Sequence, residues 1–542
     1  MVCKYKNMSG SGGLLSLTSI GSSNKILLGN PSISSFKAKY HKTKNFGKQV
    51  FRLDYDGQRD LRLTESSTFQ FSIKRHADLL LDTFICINLP DIWSPIYHPC
   101  PETNNQYSSY DFRWIDDIGF QMIEEIMITS GSLVLSKFSG AYISNAIDRD
   151  YPSEKKDLIN RATGNIDELN DPSVAFGRGH CYPSAFYTSH TGGAEPSIRG
   201  RQLIIPIHAW YTLEHKCAFP LISLPYNELV ITIRLKPIQE LFRVRDVFDM
   251  ANNNPYIQPD FNQQQFALYR FLQTPPNRDL SPSKYEYQLS NWNADVHLLC
   301  DYVFLDEEER ADFANSTQLY LVRDVYEYLF ENKVGTSKSQ LYTNALVTNW
   351  MFYFQRNDVQ LRNEWTNYTN WPYSGIPSDI QLIDLVNPDG SNTGYFMTGD
   401  FNNANLREIL LTMGIVIDGN YRENSLTSGF YDYIEKIHRT SGGGKNGLYF
   451  YNFGLETGKY QPTGAMNMSK FRTIELEYTT LTPQIDSTNS NQNVICDLSG
   501  NPIGVYKSNY RLYSYSFNLF VQEERYNIVS FQNGCCGLLY SR

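Results

Sequence analysis

Asp301-Tyr-Val-Phe-Leu-Asp-Glu-Glu-Glu-Arg-Ala-Asp-Phe-Ala314 begins as a strand and turns abruptly into a charged, helix-capable connector. Upstream, Val296 to Leu305 is apolar on both faces apart from His297 and Asp301, as expected of a strand inside a packed sandwich. Asp306 is placed to cap the free N–H groups of a short helix, and Glu307, Glu308 and Glu309 suit its positive end. A similar run, Phe517-Asn-Leu-Phe-Val-Gln-Glu-Glu-Arg525, lies near the C-terminus. Read together, the two runs mark halves that end alike, with 306–318 as the joint between them.

Two further landmarks recur in the same order. Glu125-Ile-Met-Ile-Thr129, a Ser130-Gly131 turn and Leu133-Val-Leu135 form a predicted hairpin, and Ser139-Gly140 then precedes a short helix carrying Tyr142, Ile143, Ala146 and Ile147. Met413-Gly-Ile-Val-Ile417, an Asp418-Gly419 turn, and Ser428-Gly429 before Phe430, Tyr433, Ile434 and Ile437 repeat that plan. Next, Leu229, Ile231, Ile233 and Leu235 share one strand face before Pro237, as Ile474, Leu476 and Tyr478 do before Pro483. The last strand is expected to carry Tyr513, Tyr515, Phe517, Leu519 and Val521 on one side. Three landmarks in one order indicate a duplicated all-β unit of roughly 200 residues, a size that suits an eight-stranded sandwich with decorated loops. The long loops of the first copy fall at 150–200 and 238–292.

The composition agrees with this reading. A chain of 542 residues accommodates two cores, and 38 Tyr and 31 Phe favour strands. The formal charge of −9 argues against a nucleic-acid binder, but the charge is unevenly placed. No acidic residue precedes Asp54, so Lys4, Lys6, Lys25, Lys37, Lys39, Lys42, Lys44, Lys48 and Arg52 give the first 53 residues +9, leaving −18 for the rest. A Ser-, Gly- and Lys-rich arm over 1–48 is expected to be extended and to face an acidic partner or anionic lipid, the alternative being a solvated tail that binds nothing. Cys86, Cys100, Cys181, Cys217, Cys300 and Cys496 are far apart, and Cys535-Cys536 are adjacent; free thiols from a reducing compartment fit best. No run has the length of a membrane span, and Gly12 to Ile20 is too short and polar for a secretory signal.

The chain resembles the double jelly-roll major capsid proteins of the nucleocytoplasmic large DNA viruses. Gly12-Gly-Leu-Leu-Ser-Leu17 with Leu28-Gly-Asn-Pro-Ser-Ile-Ser-Ser-Phe-Lys37 is similar to that family's opening pattern. Phe219-Pro-Leu-Ile-Ser-Leu-Pro-Tyr-Asn-Glu-Leu229 resembles its strand-pair signature, and Asp301-Tyr-Val-Phe-Leu-Asp306 its inter-domain strand. Tyr460-Gln-Pro-Thr-Gly-Ala-Met-Asn-Met-Ser-Lys-Phe471 and the Gly534 to Tyr540 tail complete the set, and the Ala-Met-Asn-Met-Ser-Lys-Phe variant leans toward the mimivirus-like branch. The resemblance implies an all-β fold of two tandem eight-stranded antiparallel jelly rolls with long loops and a few short helices. The expected divisions are an arm at 1–48, jelly roll 1 at 49–305, a linker at 306–318 and jelly roll 2 at 319–542. It also implies a non-enzymatic shell subunit that forms homotrimers and then a capsomer lattice. The arm would lie inside, with Lys25, Lys37, Lys39, Lys42, Lys44 and Lys48 facing minor capsid proteins and an internal membrane. The virion would be assembled in the host cytoplasm. No direct nucleic-acid contact, small-molecule substrate or cofactor is implied. The alternatives are a carbohydrate-binding or carbohydrate-cleaving β-sandwich, or a minor capsid or spike component.

No motif adds chemistry. Gly442-Gly-Gly-Lys-Asn-Gly447 lacks phosphate-loop spacing and precedes a strand, so a flexible hairpin loop is expected. His208, His215 and Cys217 do not converge on a metal from one strand. Sequons occur at Asn7, Asn315, Asn367 and Asn467; with no secretory route, standard glycosylation there is not expected. The resemblance implies virus-encoded enzymes that glycosylate other sequence contexts, and Asn367, in loop-like sequence, is the candidate for sugar on a loop. Cys535 and Cys536 are read as ordinary buried thiols, with cross-linking of subunits as the alternative.

Overall fold

The computed structural model describes residues 11–57, 60–97, 108–185, 194–249, 252, 254–276, 280–374, 382–397, 406–483, 485, 493–496, 502–506 and 510–540. For 11–12, 382–386, 392–397, 493–496 and 503–506 it describes the backbone alone. Lys4, Lys6, Asn7 and Cys100 lie outside the described residues.

Residues up to Phe46 form one compact unit and 47–542 another. The first contains helices at Ser11–Thr18 and Ser22–Leu28 where an extended arm was expected. Runs such as Lys25-Ile-Leu-Leu28, free of Pro and β-branched clusters, tolerate helix locally.

In the second unit sixteen strands make two sandwiches. The first is built from β1 (Phe46–Asp54), β2 (Ser67–Ile73), β3 (Leu79–Leu89), β4 (Ile123–Ser130), β5 (Leu133–Phe138), β6 (Arg201–Pro206), β7 (Leu229–Leu235) and β8 (His297–Leu305). The other contains β9 (Gln318–Lys333), β10 (Thr336–Gln340), β11 (Leu346–Arg356), β12 (Leu410–Ile417), β13 (Asn420–Thr427), β14 (Leu448–Asn452), β15 (Ile474–Thr480) and β16 (Phe517–Gln532). The sheets are ordered β1-β8-β3-β6 and β2-β7-β4-β5, then β9-β16-β11-β14 and β10-β15-β12-β13. Each strand of the second sandwich occupies the place of the strand eight before it. This is jelly-roll order, repeated.

Alternation explains the sheets. Leu229, Ile231, Ile233 and Leu235 on β7 are buried, as are Ile474, Leu476 and Tyr478 on β15. At the β12–β13 turn Asp418 and Gly419 both have positive φ (47° and 79°), the backbone a two-residue hairpin requires. Asp306 caps the Glu307–Asn315 helix, accepting from the Glu309 amide at 2.8 Å.

The two Glu-Glu-Arg runs are not equivalent, however. Glu307, Glu308 and Glu309 open an exposed helix, whereas Glu523, Glu524 and Arg525 lie buried within β16, which continues to Gln532. The cause is β9, sixteen residues long, which supplies backbone partners as far as Phe531. Matching bulges register Asn349 opposite Glu524 and place Asp301 between the pairs Cys300–Thr83 and Tyr302–Leu80. Asp301 is therefore the counterpart of Glu524. β16 also starts at Phe517 rather than Tyr513, which is half exposed.

Candidate functional site

A heavily built polar site lies at the joint between the sandwiches. Trp350, Phe352, Phe354, Leu476 and Leu519 fill the interior of the second sandwich as a separate core. The next residues along its strands, Met351, Tyr353, Leu448 and Phe450, face outward and are packed into the same cluster as Tyr142, Ile143 and the interior of the first. Tyr353 stacks on Tyr368 and Phe520, with ring centroids 4.0 and 4.9 Å away.

The helix Gly140–Asp150, capped by Ser139, is the part of the first sandwich that seats here. Its own core face is apolar (Tyr142, Ile143, Ala146, Ile147), whereas Ser144, Asn145, Asp148 and Arg149 point at the second sandwich and are all buried. Arg149 donates to Glu524 at 2.7 Å, to Asn349 at 2.9 Å and to Asp150 at 2.8 and 2.7 Å. Glu524 also accepts from Tyr142 and from Asn349, both at 2.8 Å, and Arg323 lies 3.7 Å away. Asn145 donates to Gln522 at 3.1 Å. Burial opposes ionisation of Glu524, but Arg149 and Arg323 outweigh it and hold the carboxyl near 2. Burial also pushes His208, beside this cluster, down to about 4.

The Gly-rich loop is a clasp rather than a flexible hairpin. Lys445 reaches Asp117 at 3.1 Å and Asp148 at 3.4 Å and donates to Ser144. Burial works against its charge, yet Asp117 and Asp148 raise its pKa well above the ordinary lysine value. Gly442 and Gly444 donate their amides to Arg149 O at 2.7 Å and Asp148 O at 3.0 Å. A Cβ on Gly442 would lie 2.3 Å from Asp148 O, so only glycine permits that approach. A third seam joins the loop after β11 to the first sandwich. Asn363 donates to Gln239 O and Phe242 O at 2.8 and 2.7 Å, Trp365 Nε1 donates to Glu240 O at 3.0 Å, and Glu364 pairs with Arg243.

Glu523 points the other way, into the second sandwich, where Trp350 Nε1 and Thr343 Oγ1 each donate to it at 2.7 Å and Arg525 pairs with it. Sequence reasoning missed this whole network. Its one signal was two adjacent glutamates inside an otherwise apolar strand pattern.

The residues singled out from the sequence lie elsewhere. Lys25, Lys37, Lys39, Lys42 and Lys44 are exposed in the N-terminal unit. Lys48 belongs instead to β1, where it pairs with Asp301 at 2.6 Å. Asn367 is 2% exposed, donates its amide to Trp371 O at 2.8 Å and accepts from the Thr369 amide at 3.0 Å. The segment lies outside helix and strand, as its loop-like sequence suggested, but it folds back into a turn built on that same amide, which buries the side chain. Asn315 and Asn467 are exposed. Among the described residues no cluster of His, Cys, Asp or Glu is arranged to hold a metal, and no helix is long and apolar enough to cross a membrane.

Two jelly rolls of one strand order, clamped by a buried polar joint, define a double jelly-roll protein. Known proteins with this architecture include the PBCV-1 virus capsid (TM-score 0.59, 16% identity, 94% of this chain and 100% of that one). The Faustovirus major capsid protein is also similar (TM-score 0.59, 13% identity, 93% of each chain). Such identities show the fold alone. The chain belongs to the major capsid proteins of large eukaryotic DNA viruses: the family model of that description matches residues 309–537, and the model for the major capsid protein N-terminus matches 34–306. The major capsid protein of Phaeocystis pouchetii virus is 22% identical over 98% of this chain and 99% of its own length. That of Chrysochromulina ericina virus is 24% identical over 61% of this chain, the match spanning 55% of the relative. Capsid protein 1 of Acanthamoeba polyphaga mimivirus is 24% identical over 61% of this chain and 46% of its own length. Identities this even select no branch.

Proposed function

We propose that this chain is the principal shell subunit of an icosahedral virion, acting by shape and self-association as a homotrimeric, nearly hexagonal capsomer. The observation that carries the reading is the strand-for-strand duplication, because two like sandwiches per chain become six around a threefold axis. Jelly roll 1 would comprise 49–305, the linker 306–318 and jelly roll 2 319–542. The N-terminal arm would face the shell interior. Its exposed Leu14, Leu15, Leu17, Ile26, Leu27 and Leu28, set among lysines, suit minor capsid proteins or an anionic membrane surface. Assembly in the host cytoplasm follows from the same reading.

Light scattering on a sizing column tests it. A stable species at three times 62.4 kDa is expected. A monomer at high concentration, under conditions where the fold is intact, would overturn it.

A further inference from the structure

Resting on the homotrimer reading, the duplication assigns a specific contact between copies. We infer that the 430–439 helix of one chain seats on the outer face of the β1-β8-β3-β6 sheet of the next. That contact repeats the one the 140–150 helix makes inside each chain.

Ser139-Gly140 and Ser428-Gly429 start equivalent elements, in each of which a buried tyrosine follows, Tyr142 and Tyr431. The register puts Ser144, Asn145, Asp148 and Arg149 opposite Tyr433, Ile434, Ile437 and His438. The first four are buried against the second sandwich. All four of the second set are exposed, Tyr433 by 58%, Ile434 by 50% and Ile437 by 75%. Meanwhile Tyr431, Asp432 and Glu435 are buried, matching Tyr142, Ile143 and Ala146. The second helix thus presents, uncovered, the face its twin uses to dock. The sequence pattern alone places Tyr433, Ile434 and Ile437 together on one helix side without showing that this side is the uncovered one.

Met351, Leu448, Gln522 and Glu524, which accept the first helix and its surroundings, correspond through the strand registers to Phe84, Ile204, Leu299 and Asp301. Where the former are at most 2% exposed, Phe84 and Leu299 are half-buried and Ile204 is 37% exposed.

The chemistry of the pairs changes in step. Asn145 on Gln522 becomes Ile434 on Leu299, apolar on apolar. Arg149 on Glu524 and Asn349 becomes His438 on Asp301 and Asp82. Arg323 beside Glu524 has its match in Lys48 beside Asp301. Asp301 is 7% exposed with Lys48 on its Oδ2, and its carboxylate is the acidic partner that His438 of a second copy would face.

The test uses the full-length protein. Ile437→Asp and Ile434→Asn copy the first helix onto exposed positions, so the subunit fold should survive, as checked by circular dichroism. Each of these two substitutions should make trimer dissociation on the order of 30-fold easier, while His438→Arg should make it harder. Ile434→Cys combined with Leu299→Cys should give disulfide-linked species of up to three chains on non-reducing gels, absent from either single variant. A trimer that forms unaltered in every variant, with no cross-link, would overturn the docking while leaving the capsomer reading intact. A monomeric wild type would sink both.

Discussion

Replacing Arg149 with Met deletes the guanidinium at the centre of the joint and leaves Glu524 buried with Arg323, 3.7 Å away, as its nearest cation. Removing one partner of a buried, hydrogen-bonded pair costs about 3–5 kcal/mol, because the remaining charge stays desolvated. Glu524→Gln should cost less, about 2–3 kcal/mol, since Asn349 and Tyr142 still bond an amide there and Asp150 still holds Arg149. Combining the two removes both charges, so the double variant should lie at least about 2 kcal/mol closer to wild type than the sum of the singles. Differential scanning calorimetry reads this out. If residues 47–542 unfold together, an unfolding entropy of about 2.1 cal/mol/K per residue gives roughly 1 kcal/mol per degree, hence a Tm drop of about 3–5 °C for Arg149→Met. Unfolding of one sandwich alone would double that shift. Additive losses, or a loss below about 1 kcal/mol for Arg149→Met, would refute the claim that this pair clamps the joint.

Lys445→Met should cost about 3 kcal/mol by stranding Asp117 and Asp148, and Lys445→Arg should recover part of it in the same melting experiment. Gly442→Ala, forced against Asp148 O, should lose about 1–3 kcal/mol and make the 442–447 loop newly cleavable in limited proteolysis. Stability should fall with acid in two stages. His208, whose folded pKa is depressed to about 4, costs stability as pH drops from about 6.5, because the unfolded chain takes up the proton first. Glu524, held near 2, contributes stability present above about pH 4.3 and lost as pH falls toward 2. His208→Gln should erase the upper stage of a pH–Tm profile and keep the lower. Intact-mass and peptide mapping of virion protein should find Asn367 bare; a sugar on that amide would mean that the turn to Trp371 is open in the particle.

The double sandwich was legible because its signals are local. Alternation at Leu229–Leu235 and Ile474–Thr480 needs only neighbouring residues, and so do the Asp418-Gly419 turn and the Asp306 cap. The joint was not legible, because its members lie more than a hundred positions apart: Arg149 with Glu524, Lys445 with Asp117, Asn363 with Gln239. Nothing in Gly442-Gly-Gly-Lys-Asn-Gly447 tells a clasp from a floppy turn until Asp148 is placed beneath it. The Glu-Glu-Arg match misled for a related reason. Composition alone does not distinguish carboxylates that cap an exposed helix from carboxylates sunk in a strand, since the difference is made by β9 across the sheet.

A polar joint also has a consequence that an apolar one would not. Two sandwiches with oily outer faces could slide and still bury similar area, whereas Arg149 satisfies Glu524, Asn349 and Asp150 in only one register. Such pairs add little net stability over well-packed hydrocarbon, but a misaligned arrangement strands buried charge. The capsomer proposed above would need that angular definition, because an error at each joint would accumulate around the ring. The contact inferred between copies carries fewer ions, with Ile434 on Leu299 where the internal joint has Asn145 on Gln522. A joint made once within a chain and a contact made by collision face different demands. The first must fix an angle; the second must also form from exposed, hydrated surfaces, and a mostly apolar face with one His438–Asp301 pair loses less solvation in doing so.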